Sequence, residues 1–172
     1  DILDARVRSA IEFLYEKKHG KFDFSRDKLT SIEKFVYQLS FYYAALDITN
    51  DYGITFCGVK CQDELSARDC TACLITAFLS NDTGPDGKAK SVIPVACECD
   101  MDSAMTQLWM HLLTGKPAGF GDFRDVENGV LAIVNCGQHP PYFFGTPSEN
   151  AIKKLDRVEY MGQEIFYAAG GS

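Results

Sequence analysis

Six of the chain's seven cysteines lie between Cys57 and Cys99, the tightest run reading Cys61-QDELSARD-Cys70-TA-Cys73, with a last close pair at Cys97-Glu98-Cys99. Two chemistries gather thiols in this way. Disulfides need an oxidising compartment, and a thiolate zinc site needs four ligands converging tetrahedrally. Structural zinc sites usually offer two close pairs on knuckle-like turns. Here Cys70 and Cys73 have only Cys97 and Cys99 as would-be partners, and His19, His111 and His139 are scattered along the chain. We therefore read a disulfide framework with no metal and no cofactor, drawn from Cys57, Cys61, Cys70, Cys73, Cys97, Cys99 and Cys136. An odd number of cysteines leaves one thiol over, or joined to another chain.

Disulfides imply secretion, and the rest of the composition is compatible with it. At 172 residues, 46% of them hydrophobic, one folded domain with a substantial core is the default expectation. The net charge of -7 argues against a phosphate-backbone partner, because nucleic-acid binding takes a clustered basic face and none is visible. No apolar run approaches the length of a membrane span. The first residues lack a charged n-region followed by an apolar h-region, so we expect a mature chain whose signal peptide has been removed. Asn81-Asp82-Thr83 is an N-glycosylation sequon beside Gly84-Pro85-Asp86-Gly87, which predicts an exposed turn with a glycan on Asn81.

Periodicity predicts a first helix from Asp4 to Lys18, where Val7, Ala10, Ile11, Leu14 and Tyr15 share a face and Gly20 provides the stop. From Ile32 to Cys57 the chain turns aromatic and β-branched, and we read two or three long antiparallel strands there. Leu74 to Leu79, a turn over 81–88, and Val92 to Val95 read as a hairpin, with Cys73 and Cys97 facing each other at its open end.

In this order of parts the chain resembles the cystatin superfamily over residues 1–100. The carriers are the helix of Ala5-RVRSAIEFLYEKKHG, a strand ribbon, the strand Ile54-Thr55-Phe56-Cys57, a short cysteine loop and a cysteine-tied hairpin. The resemblance implies disulfides Cys61 to Cys70 and Cys73 to Cys97, and places the binding turn of the ribbon at Tyr37, Gln38, Leu39, Ser40 and Phe41. The protease-inhibitor motifs of that family are missing. Asp1-Ile2-Leu3 holds no glycine, the ribbon turn holds none to let backbone enter a cleft, and Thr83-Gly84-Pro85-Asp86-Gly87 has no tryptophan. A second resemblance rests on Cys61-x8-Cys70-x2-Cys73, Asp69-Cys70-Thr71-Ala72-Cys73-Leu74 and Tyr52-Gly53, which are similar to the plant cysteine-rich secretory repeat of ginkbilobin. It implies a helix after the paired cysteines, mannose binding and antifungal activity.

Residues 101–172 follow neither pattern. Met101 to Leu113 reads as a helix with Met105, Leu108, Trp109 and Leu112 on one face, in a core or beside a ligand pocket. Val130 to Val134 reads as a buried strand, Ser148 to Lys154 as a short helix, and Glu164 to Ala168 as a last strand. Tyr142, Phe143 and Phe144 follow two prolines and cannot all point inward, so at least one faces a partner or a pocket. Cys136 and His139 are close in sequence, but a thiol nucleophile needs spatial pairing and an orienting group. Asp100, Asp102, Asp122 and Asp125 lack the spaced series of a calcium loop and read as a solvated face.

The expectation is a secreted, disulfide-stapled α+β protein, its N-terminal helix packed on a twisted antiparallel sheet. Residues 1–100 form the cystatin-like domain and 101–172 an α/β extension of the same sheet or a small subdomain, open to oligomer contacts. Its role is binding a protein or small ligand rather than catalysis. The alternatives are a carbohydrate-binding antimicrobial protein of the ginkbilobin type, and a small-molecule binder or enzyme with a pocket near Trp109.

Overall fold

The computed structural model describes residues 4–17, 21–22, 32–61, 64–134, 139–145, 150 and 159–160, and in these it mixes helix and strand, an α+β arrangement. Helix α1 (Ala5–Ile11) begins at Asp4, whose carboxylate accepts the Arg6 N–H at 2.8 Å, and it buries Val7 and Ala10. The spiral continues as a wider π-turn over Glu12–Glu16, in which the Lys17 N–H reaches Glu12 O at 2.8 Å. Leu14 stays on the buried stripe, while Tyr15 turns outward. Gly20 lies outside the described residues.

Helix α2 (Ile32–Asp51) replaces the expected antiparallel ribbon. Phe35, Leu39 and Tyr42 are buried at helical spacing, with Gln38 beside them. Alternation would have buried every second residue instead. The β-branched and aromatic composition was therefore subordinate to the burial stripe, as tertiary packing commonly overrides strand propensity. The segment Tyr37 to Phe41 is mid-helix rather than a turn.

Strand β1 (Lys21–Phe22) pairs in parallel with β6 (Glu159–Tyr160), and β2 (Cys57–Val59) pairs in parallel with β3 (Val95–Cys97). Between β2 and β3 lie helices α3 (Glu64–Arg68) and α4 (Cys73–Leu79). Helix α4 is buried along its whole length and packs against α2, with the Tyr42 and Phe78 rings edge-on at 6.2 Å. It stands where the first strand of a hairpin was expected. A short, uniformly apolar run carries no period that separates a buried helix from a buried strand. The expected return strand is likewise absent as such: only Val95 of Val92 to Val95 is in β3, whose neighbour is parallel.

Helix α5 (Met101–Thr114) is capped by Asp100, which accepts from the Ser103 N–H at 2.9 Å, and it ends at Gly115 in the left-handed conformation, φ 67°. It packs against β2 and β3, burying Ala104 and Gln107. Trp109 is 56% exposed, so the expected core tryptophan is a surface residue. Strands β4 (Asp122–Glu127) and β5 (Val130–Val134) form an antiparallel hairpin across Asn128-Gly129, whose φ values of 52° and 77° suit a tight two-residue turn. Val130 and Leu131 are exposed, against the expectation of a buried strand. Pro141–Phe144 form a 3-10 turn. Among the described residues the strands make three two-stranded ladders rather than one twisted antiparallel sheet.

Candidate functional site

A groove of about 390 Å³ runs between the C-terminal end of α2, the segment entering β3, and α5. Its polar lining includes Thr49, Asn50, Thr55, Ser91 and His111, and Leu108 and Leu112 supply apolar surface. Each wall is set by local rules. Helix α2 ends where Gly53 takes φ 62°, and the Ile54 N–H turns back to Thr49 O at 2.8 Å, which sends Ile54 and Thr55 along the rim. On the opposite wall Leu108, His111 and Leu112 recur at the three- and four-residue spacing of one face of α5. His111 Nδ1 lies 2.9 Å from Lys116 O. A carbonyl only accepts, so Nδ1 carries the proton and Nε2 of a neutral ring is left as an acceptor. Trp109 adjoins this face on the exposed side of α5 and is not itself in the lining.

The floor beside the groove is held by Lys90, whose Nζ donates to Leu79 O at 2.8 Å and to Asn81 O and Ser91 O at 2.7 Å each. Leu79 is the last residue of α4 and Asn81 lies two residues beyond it, so the ammonium satisfies carbonyls at the end of the helix. Burial pushes the Lys90 pKa down to about 7, opposed by Asp82. No sequence signal marked this lysine, because one lysine in a polar turn looks like any other.

The other expected site residues are dispersed. Gln38 and Leu39 are buried in α2, Tyr37 is exposed and Ser40 donates to Val36 O at 2.9 Å, so the expected binding turn is not formed. Phe143 and Phe144 are exposed, and Tyr142 sits edge-on to Phe143 at 5.4 Å. The Tyr142 N–H donates to Asn81 Oδ1 at 2.9 Å. Asn81 is 1% exposed and its Nδ2 donates to Thr83 O at 2.9 Å, so the sequon does not present the exposed amide expected of a glycan acceptor. His139 is near Phe143, with ring centroids 6.1 Å apart, and burial lowers its pKa. Its expected neighbour Cys136 lies outside the described residues, as do 148–149, 151–154 and 164–168 of the remaining elements.

A second charged cluster lies over α1 and α2. Arg6 bridges Asp4 and Asp47 at 2.6 Å each, and its guanidinium sits 5.0 Å from the centre of the Tyr43 ring. Hydrogen bonds from Arg6 hold both carboxyls below the usual range. All three charges are solvent-exposed and already satisfy one another, so this is a helix-to-helix clasp.

Among the described residues no three histidine, cysteine or acidic side chains converge as a metal site, and no disulfide is formed. The thiols nevertheless fall into neighbourhoods. Cys61 Sγ accepts the Ala72 N–H at 3.2 Å, and the Cys70 thiol is pushed up to about 12 by burial first, then by Cys61 and Asp69. The Cys57 thiol is raised by burial and by Cys99. Cys97 Sγ donates to Glu98 Oε1 at 3.3 Å.

Among the described residues no helix is long and apolar enough to cross a membrane. No family model matches the chain, and no curated protein matches it.

Proposed function

We propose that the chain is a secreted, disulfide-bonded binding protein whose ligand is a small carbohydrate held in the groove between α2 and α5. The observation that carries this reading is the groove's lining. Asn50, Thr55, Ser91 and His111 offer amide, hydroxyl and imidazole groups beside the aliphatic surface of Leu108 and Leu112. A sugar presents the complementary pattern of hydroxyl edges and C–H faces, and binding sites generally combine apolar walls with a few placed polar groups.

The plant secretory repeat is the resemblance with support in the fold, since a helix starts at Cys73 where that family has one. The cystatin resemblance leans on a ribbon, and on the first arm of a hairpin, in segments that are helical. The proposed disulfide framework keeps the pairs that the cystatin resemblance implies, Cys61 with Cys70 and Cys73 with Cys97. The exposed Phe123, Val126 and Leu131 of the β4–β5 hairpin favour contacts to other molecules through the C-terminal extension.

The test is titration of the full chain with mannose and its short oligomers, followed by amide NMR shifts and by the emission of Trp109, the single tryptophan. Shifts confined to the ends of α2 and α5, lost in Asn50→Ala, are expected. No response to any sugar at millimolar concentration would remove the carbohydrate reading.

A further inference from the structure

The chain reverses sharply where β3 hands over to α5. Glu98 and Cys99 take φ of 53° and 58°, a consecutive left-handed pair that is unfavourable for residues carrying a Cβ. The Asp100 N–H closes the turn on Cys97 O at 3.0 Å, and Asp100 then caps α5. The reversal carries the Cys99 backbone onto β2. A Cβ placed on Gly58 would lie 2.7 Å from Cys99 Cα, so the two segments meet this closely only because residue 58 is glycine. Cys57 directly precedes Gly58 and is partly buried, while Cys99 is exposed.

We infer that Cys57 and Cys99 form a disulfide that clamps the segment leaving α2 to the start of α5, fixing the two walls of the groove relative to each other. The close approach at Gly58 sets Cys57 one residue from the point where the Cys99 backbone meets β2, and the Cys57 thiol feels the charge of Cys99. Cys97 is the less suitable partner: it is buried, stands opposite Val59 in the ladder and points its thiol to Glu98. A bond at Cys99 also gives the strained pair at 98–99 a reason to persist, because strain survives where the surroundings over-determine it.

The bond forms by exchange with a low-molecular-weight disulfide such as oxidised glutathione. The exposed Cys99 thiol loses its proton, and its sulfur attacks one glutathione sulfur, expelling the other as a thiolate. Cys57 then loses its proton and attacks Cys99 Sγ in the mixed disulfide, expelling the second glutathione thiolate. Two protein thiols are oxidised, one glutathione disulfide is reduced, and two protons are released.

The test is peptide mapping of the full chain after equilibration in a glutathione redox buffer and acid quenching. Trypsin cuts at Lys60 and separates Cys57 from Cys61, and a glutamate-specific protease cuts at Glu98 and separates Cys97 from Cys99. A Cys57–Cys99 peptide is expected. In oxidised samples Cys57→Ser, Cys99→Ser and the double variant should lose the same Tm increment, roughly 5 °C, because all three delete one bond. Cys57 joined to a different cysteine, or alkylated as a thiol in the oxidised wild type, overturns the inference. So do single-variant losses that add in the double variant. The peptides carrying Cys61, Cys70, Cys73 and Cys97 report separately on the disulfides of the proposed function, so either set can fail without the other.

Discussion

Gln38 Oε1 accepts the Leu74 N–H at 3.1 Å, so a buried amide in the middle of α2 supplies the N-terminal cap that Ala72 cannot give α4. The same side chain donates through Nε2 to Thr71 Oγ1 at 3.3 Å. Both contacts reach from α2 to the start of α4, and together they fix where α4 starts, directly at Cys73. Gln38→Leu keeps the volume and removes the acceptor. The expected cost is about 1–3 kcal/mol, the range for leaving a buried donor unsatisfied. Urea unfolding should show a lower midpoint at an unchanged slope, and a wild-type midpoint would mean that α4 is capped by other means.

Trp109 and Phe35 separate the surface of this fold from its core. Phe35 is 0% exposed and Trp109 is 56% exposed. Phe35→Ala should destabilise by about 3–5 kcal/mol, whereas Trp109→Ala should cost under about 1 kcal/mol. Equal losses in chemical unfolding would put Trp109 back in a core.

The turn after α4 is shaped around an aromatic ring from the N-terminal segment. Gly87 has φ 79°, and a Cβ built there would fall 2.3 Å from Phe13 Cζ. Gly87→Ala is therefore opposed twice, by backbone strain and by collision, and should cost about 1–3 kcal/mol. Phe13→Leu relieves only the collision. The double variant should consequently lose less than the sum of the two single losses, and strict additivity in the mutant cycle would show that the ring does not press on the turn.

Lys90 sets a pH dependence whose sign follows from burial. Its pKa in the fold is about 7 against an ordinary 10.5, so between these values the unfolded chain holds the extra proton. Stability therefore rises with pH across that window through this group. Above about pH 10 the raised Tyr42 and Tyr43 pKa values work the other way, because the unfolded tyrosines ionise first. Between pH 7 and 9.5 the wild type should gain stability relative to Lys90→Met in urea titrations. Parallel curves for the two proteins would show that the three carbonyls keep Lys90 charged throughout.

The readable parts of the fold were those with a clear period and clear ends. Val7, Ala10 and Leu14 marked α1, and Asp100 with Gly115 bracketed a helix close to the one expected at α5. In α2 the stripe Phe35, Leu39, Tyr42 was present in the sequence, but the weight given to Phe-Val-Tyr and Phe-Tyr-Tyr as strand formers concealed it. The Asn128-Gly129 pair is a hairpin signal in its own right, and it stands beside Val130 to Val134, which form a strand as expected but an exposed one at Val130 and Leu131. The groove had no such signature. Asn50, Thr55, Ser91 and His111 come from separate stretches of the chain, and only the packing of α5 on β2 and β3 brings them to one place.

Asn81 carries the last prediction, because its sequon and its surroundings demand opposite things. The side chain is 1% exposed and is used at both ends, Nδ2 on Thr83 O and Oδ1 on the Tyr142 N–H. A glycan bonded to Nδ2 would need the room now filled by the turn, and the amide would have to leave a closed pair of hydrogen bonds. Folded protein secreted from a eukaryotic host should therefore have the mass of the bare chain at this position and should not change on treatment with an N-glycosidase. Asn81→Asp replaces the donor at Thr83 with an acceptor, and should cost about 1–3 kcal/mol in unfolding experiments. A glycan found on Asn81 in material with wild-type stability would show that the turn opens without loss, and that the contact to Tyr142 does not hold residues 139–145 in place.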